Sequence, residues 1–267
     1  MIDFPSRREQ RKPYGENHPS IDTTMLPPLV HDIDLLCLDA GNTVVFLDHT
    51  RLADLCARRG FAASAAALER AEGEAKIALE CGVQVDVPWS GVHLPKARGW
   101  GKTMATLLAR AGLAPDRVPE LLDALWADHC ALNLWSLVPL GLNDALDRVR
   151  AVGVRVAIVS NSEGMLEPLF ERLGIRPAMD LVVDSGIVGV EKPDPRIFRI
   201  ALDRFGVTPD RAFHLGDNFA TDVLGARAAG IRVALVDPYG HLQGRHADVL
   251  RVPGVVEMAH AIADARA

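Results

Sequence analysis

The chain has 267 residues, of which 49% are hydrophobic and 24% charged, and its 29 basic against 35 acidic side chains give a net charge of −6. That length can bury a sizeable core as one domain with a large insertion or as two domains, and the acidic balance excludes the basic footprint expected of a nucleic-acid binder. Apolar runs break within about ten residues, short of the roughly 18 a membrane span needs, so no membrane partner is expected.

The first 25 residues are polar, contain Pro and lack periodicity, and read as a flexible tail; Met25 is an alternative start to Met1. Arg7, Arg8, Arg11 and Lys12 within it are expected to be solvated, and the absence of a hydrophobic segment like that of a signal peptide points to a cytoplasmic protein. Cys37, Cys56, Cys81 and Cys130 are widely spaced with no CxxC pair, which predicts free, mostly buried thiols and neither zinc nor a disulfide framework.

From residue 33 the pattern changes. "IDLLCLDAG" is a short, nearly continuous apolar run closed by a Gly-containing turn, which predicts a buried strand. Similar runs recur at 154–162, 180–186, 212–218 and 232–238, each ending in polar or Gly residues. Between them, stretches such as "LNDALDRVRAVG", "MLEPLFERLG", "DPRIFRIALDRFG" and "ATDVLGARAAG" carry apolar residues at helical spacing. Alternating strand and helix predict an α/β fold with a parallel sheet covered on both faces.

About a hundred residues separate the first strand from the next, whereas a crossover needs only about a dozen. Residues 47–134 are rich in Ala, Leu, Glu and Arg with apolar positions at helical intervals, so a mainly helical domain is expected there, inserted into a core of residues 26–46 and 135–267. "CGVQVDVPWSGVHLPKARGWG" reads as an irregular loop within it. Trp89, Trp100, Trp126 and Trp135 are expected to pack that domain or its junction with the core, with Trp89 or Trp100 able to shape a substrate pocket.

Ligands of open parallel sheets bind at the carboxyl ends of strands. Asp39 and its Gly41-Asn42 turn, Ser160 with Asn161, Lys192 in "GVEKPDP", and Asp217 and Asp222 in "GDNFATD" stand at such ends. A nucleophilic carboxylate, a hydroxyl, a cation and two further carboxylates suit phosphoryl chemistry. Asp39 can attack phosphorus, while Asp39 and the Asp217 group can hold Mg²⁺. Lys192 offsets negative charge, Ser160 with the backbone N–H groups of the Gly41-Asn42 turn can bind phosphoryl oxygens, and Asn161 beside Ser160 is expected to contact the substrate. Without such chemistry, Asp39 would cap a turn, residues 160 and 161 would be ordinary turn residues, and Asp222 would serve the helix dipole. His214, alternating with apolar neighbours, reads as structural.

In that order, "LLCLDAGNT", "VAIVSN", "EKPDPRIF" and "HLGDNFATD" resemble the four motifs of the haloacid dehalogenase superfamily of phosphohydrolases, and the long insert resembles its helical cap. The resemblance spans roughly residues 33–238 and implies a Rossmann-like core, Mg²⁺ dependence, an aspartyl-phosphate on Asp39 and a small phosphorylated metabolite as substrate. Asp39, the Gly41 carbonyl, Asp217 and Asp222 would hold the metal. Family phosphatases carry a second, acid/base aspartate two residues after the nucleophile, where this chain has Gly41. General acid/base help is typically worth 10²- to 10⁴-fold, about 3 to 5 kcal/mol of barrier.

Four explanations stay open. One is a phosphatase that tolerates the loss through a good leaving group or a proton from His49, His93, His129 or Asp48. Another is a phosphonate hydrolase that uses Lys76 of "GEAKIALE" as a Schiff base, although a solvated surface lysine is the expectation for Lys76 from residue type. A third is a dehalogenase, disfavoured by Gly41 and by the retained Asp217 and Asp222. The last is a non-enzymatic binder of a phosphorylated ligand or a partner, disfavoured because a nucleophilic carboxylate facing an anion gains a binder nothing. A monomer or homodimer is compatible with all four.

Overall fold

The computed structural model describes residues 30–85, 89 and 97–266. The N-terminal tail with its basic cluster and Met25, and also His93, lie outside the described residues.

Six parallel strands form the central sheet: β1 (Leu35–Leu38), β4 (Arg155–Ser160), β5 (Leu181–Asp184), β6 (Ala212–Gly216), β7 (Arg232–Val236) and β8 (Arg251–Val252), in the order β5-β4-β1-β6-β7-β8. β1 thus runs between β4 and β6, with Leu38 in register with Ile158 and Leu215. β1, β4, β5, β6 and β7 are each shorter than their apolar runs in the sequence, because the flanking residues supply the turns, and β8 had no such run to mark it.

The period-two alternation of strands sorts side chains onto two faces. Leu36, Leu38, Val156 and Ile158 pack against helices α5 (Leu142–Ala151), α6 (Leu166–Leu173) and α10 (Val255–Arg266). Leu35, Cys37, Ala157 and Val159 pack on the opposite face against α8 (Arg196–Phe205). Asp184, ending β5, caps the one-turn helix α7 (Ser185–Val188) by accepting from the Gly186 N–H at 2.9 Å. After β6 a π-helical turn, Phe219–Val223, leads into α9 (Leu224–Ala228).

Between β1 and β4 the chain leaves the sheet through β2 (Phe46–Leu47) and returns through β3 (Trp135–Leu137), which pair antiparallel. The segment between them forms α1 (His49–Ala57), α2 (Ala65–Glu80), α3 (Ala97–Arg110) and α4 (Val118–Ala131). These helices bury an apolar cluster of their own, including Leu52, Leu68, Met104, Leu108 and Leu125. Asp48 caps α1, accepting from the Arg51 N–H at 2.9 Å, and Ser64 caps α2.

Two expectations are corrected. Trp100 lies in α3, so the part of the stretch expected to be irregular over 81–101 that begins at Ala97 is helical. Trp89, Trp100 and Trp126 pack among the inserted helices, as expected, and form an aromatic cluster with His129 in which neighbouring centroids lie 5.1 to 5.4 Å apart. All four cysteines are free, but only Cys37 and Cys56 are buried; Cys81 and Cys130 are exposed, because they sit just past or near the ends of α2 and α4. No helix among the described residues is long and apolar enough to cross a membrane.

Candidate active site

The central place of β1 decides where the site lies. Asp39 follows Leu38, and its amide donates to the Leu215 carbonyl at 2.8 Å, which continues the β1 to β6 ladder into the turn. The Thr43, Val44 and Val45 amides then converge on the Ala40 carbonyl, and Asn42 takes a left-handed φ of 53° that its short polar side chain tolerates. The Asn42 amide donates to the Val45 carbonyl at 2.7 Å and its side chain donates to Glu72 Oε1 at 2.9 Å. The anion-binding amide expected at Asn42 is therefore spent on the turn itself.

Lys192, 3% exposed, reaches in from the loop before α8. Its Nζ donates to Asp39 Oδ1 and to Asp222 Oδ1, each at 2.6 Å. Asn161 sets this reach by clamping the Lys192 backbone: its Oδ1 accepts from the Lys192 amide at 2.7 Å and its Nδ2 donates to the Lys192 carbonyl at 2.9 Å. Both ends of the Asn161 side chain are thus committed to positioning Lys192, which differs from the substrate contact expected for it. Ser160 is buried at the end of β4, two residues beyond the Leu38 level.

Asp217 and Asp222 come from β6 and its π-helical turn. Asn218 caps that turn, accepting from Thr221 N–H at 3.1 Å, while its own amide donates to Asp222 Oδ2 at 3.0 Å. Asp222 Oδ1 also meets His214 Nε2 at 2.8 Å, and His214 Nδ1 lies 3.2 Å from the Cys37 carbonyl. His214 is thereby structural, as its strand position suggests, and it orients Asp222. Gly216 is required by this packing: a Cβ there would stand 2.2 Å from Asp222 Cγ.

Carboxylate oxygens of Asp39, Asp217 and Asp222 lie within 4.8 Å of one another. Such an all-oxygen donor set fits a hard divalent cation. Asp222 already serves Lys192, His214 and the Asn218 amide, so Asp39 and Asp217 are the carboxylates with capacity to spare.

Burial crowds these like charges. Burial, with Asp222 and Asp217 nearby and Lys192 opposing, pushes Asp39 up to about 7. Burial would raise Asp222 also, but the Lys192 charge and the His214 hydrogen bond hold it far below the usual carboxylate range. Lys192 is held above its ordinary value because its two carboxylate partners outweigh burial.

Several residues that sequence reading left without a role stand around this centre. Lys76, expected to be solvated, has a side chain only 14% exposed and pairs through Nζ with Asp217 Oδ2 at 2.8 Å. Glu72, one turn earlier on α2, accepts from Asn42 and meets His49 Nε2 at 2.8 Å. The i,i+4 spacing of Glu72 and Lys76 placed them on one face of a helix, but nothing in it told which face docks. Of the proton donors considered, Asp48 caps a helix and His129 Nδ1 accepts from the Leu134 amide within the aromatic cluster. Among the described candidates, His49 alone contacts a residue bonded to the Asp39 turn.

An open parallel sheet with a helical insertion after its central strand, bearing this polar cluster at its carboxyl end, defines a class of α/β hydrolases. The family profile of haloacid dehalogenase-like hydrolases matches residues 33–230, and the chain belongs to that family. It is 36% identical over 142 residues to the mouse haloacid dehalogenase-like hydrolase domain-containing protein 3, covering 52% of this chain and 56% of that protein. It is 40% identical over 133 residues to a Thermus thermophilus phosphoserine phosphatase, covering 49% and 51%. The chain thus spans about half the length of the curated relatives it matches. The HAD-hydrolase YfnB of Bacillus subtilis shares the fold at a TM-score of 0.62 and 16% identity, over 86% of this chain and 98% of that one.

Proposed function

We propose that the protein is a Mg²⁺-dependent phosphatase that transfers the phosphoryl group of a small phosphorylated metabolite to Asp39 and then to water. The observation that carries this reading is the Lys192 ammonium bonded at once to Asp39 and Asp222, within a cluster that includes Asp217. The likeness to a phosphoserine phosphatase supports phosphate esters as the substrate class.

Asp39, Asp217 and the Gly41 carbonyl would hold the metal, which when bound supplies positive charge beside the phosphoryl oxygens. With Oδ1 engaged by Lys192, Asp39 Oδ2 is the attacking atom: an oxygen–phosphorus bond forms as the ester oxygen departs, leaving an acyl phosphate. Lys192 offsets the charge gathered between carboxylate and phosphoryl oxygens, and Asp222 holds that ammonium in place. Water then attacks the acyl phosphate and restores the Asp39 carboxylate. No carboxylate at position 41 protonates the leaving group, so alcohols with low pKa are the better substrates. Helices α1 to α4, within residues 47–134, act as the cap over a core of residues 26–46 and 135–267, and substrate choice lies in the cap.

The burial of Lys76 beside Asp217 favours a second reading, phosphonate hydrolysis through a lysine imine. Against it, Asp217, then Asp237 and Glu72, outweigh burial and hold Lys76 above its ordinary value, so it remains an ammonium and no nucleophile.

Phosphate release from a panel of phosphate monoesters and phosphonates, with and without Mg²⁺, tests both readings. Metal-dependent release that falls by at least about 10³-fold in Asp39→Asn is expected; equal activity in that variant removes Asp39 as nucleophile. Borohydride trapping of a carbonyl substrate on Lys76 would instead establish the imine.

A further inference from the structure

Helix α2 meets the core along a charged stripe. Glu72, Lys76 and Glu80 recur every four residues, which places them on one face. Glu72 takes Asn42, Lys76 takes Asp217, and Glu80 takes Arg245 at 3.0 Å and His246 at 2.6 Å. Gly73 lets the loop after β7 close in, since a Cβ there would stand 2.5 Å from the His241 ring. Interfaces made of ion pairs separate more readily than apolar ones, because water and ions can replace each contact.

Within this stripe Lys76 is distinctive, because its partner is a carboxylate that the proposed function assigns to the metal. A divalent ion held by Asp39 and Asp217 would sit within a few ångströms of the Lys76 ammonium, and the two cations repel while drawing on the same carboxylate. We propose that Lys76 is a resident counter-cation of Asp217 that a divalent ion must displace, so that metal loading and seating of α2 on the sheet oppose one another. This rests on the reading of Asp217 as a metal ligand. Linkage makes the coupling reciprocal: as metal binding loosens α2, so the seated Lys76 ammonium weakens metal binding, and removing its charge raises metal affinity.

Mn²⁺ binding to the full chain, followed by the electron paramagnetic resonance of the free ion, tests it without any turnover. Lys76→Met and Lys76→Gln are expected to bind Mn²⁺ about 10-fold tighter than the wild type, and Lys76→Arg, which keeps the charge, within about 2-fold of it. In the unaltered protein, amide hydrogen exchange in α2 should quicken on adding Mn²⁺, which keeps the proposal testable if a variant folds poorly. Unchanged or weaker affinity in both neutral variants, with binding lost in Asp217→Asn, overturns the role of Lys76 and leaves the metal site standing. So does α2 exchange that Mn²⁺ leaves unchanged or slows. Wild-type affinity in Asp217→Asn, or no binding by any variant, overturns the metal site and the proposal together. Binding by the neutral variants alone would establish that Lys76 outcompetes the ion.

Discussion

Lys192 and Asp39, 153 positions apart in sequence, are joined by a 2.6 Å hydrogen bond between Nζ and Oδ1 in a site almost closed to solvent. The same ammonium bonds Asp222, so one buried cation bridges two buried carboxylates. Taking away one member of such a group leaves the others uncompensated. Lys192→Met should therefore cost about 3 to 5 kcal/mol of stability in urea unfolding as well as phosphatase activity. A variant as stable as the wild type would show that the carboxylates find other partners.

Position 41 has room for the carboxylate it lacks. Among the described residues, a Cβ built on Gly41 meets only Trp135 Cδ1 and Nε1, both at an ordinary 3.7 Å. Gly41→Asp should fold normally and speed phosphate release by about 10²-fold or more on substrates with poor leaving groups. Steady-state rates on a ladder of leaving-group pKa values provide the check, and a gain should be largest at the high end. No gain on any rung would mean that another group already supplies the proton.

Gly216 offers the opposite case. Its missing Cβ is the space the Asp222 carboxyl occupies, with the nearest approach at 2.2 Å. Gly216→Ala must push Asp222 from Lys192 and His214, at a cost of about 1 to 3 kcal/mol from overpacking. Thermal unfolding should register the loss, together with weaker metal binding.

Glu72 bears on pH. Burial would raise its pKa, but the hydrogen bond and charge of His49, then Asn42 and Lys76, outweigh it and lower the pKa below the ordinary 4.5. A depressed folded value means the ionised form favours folding, so this stability is present above pH 4.5 and is lost as pH falls through the folded value. Glu72→Gln should cost about 1 to 3 kcal/mol at neutral pH, and the gap to wild type should narrow on acidification below pH 4.5. Urea midpoints measured at pH 7 and at progressively lower pH would show it; a gap that stays constant would disprove the linkage.

Much of the architecture was already written in local patterns. Apolar runs closed by Gly and polar residues marked β1, β4, β5, β6 and β7, because a strand buried on both faces needs nothing else. Helical spacing marked α5, α6 and α8, and polar residues at the strand ends pointed to one end of the sheet, where Asp39, Lys192 and Asp217 now stand together. The engagements of single side chains lay beyond that reading. Asn161 holds a backbone, Asn42 spends its amide on its own turn, and Lys76 leaves solvent for Asp217. Periodicity reports how an element repeats and which of its residues share a face. Which neighbour that face meets depends on the direction in which the inserted helices return to the sheet, a property of the whole chain, and that is why only the tertiary structure decided it.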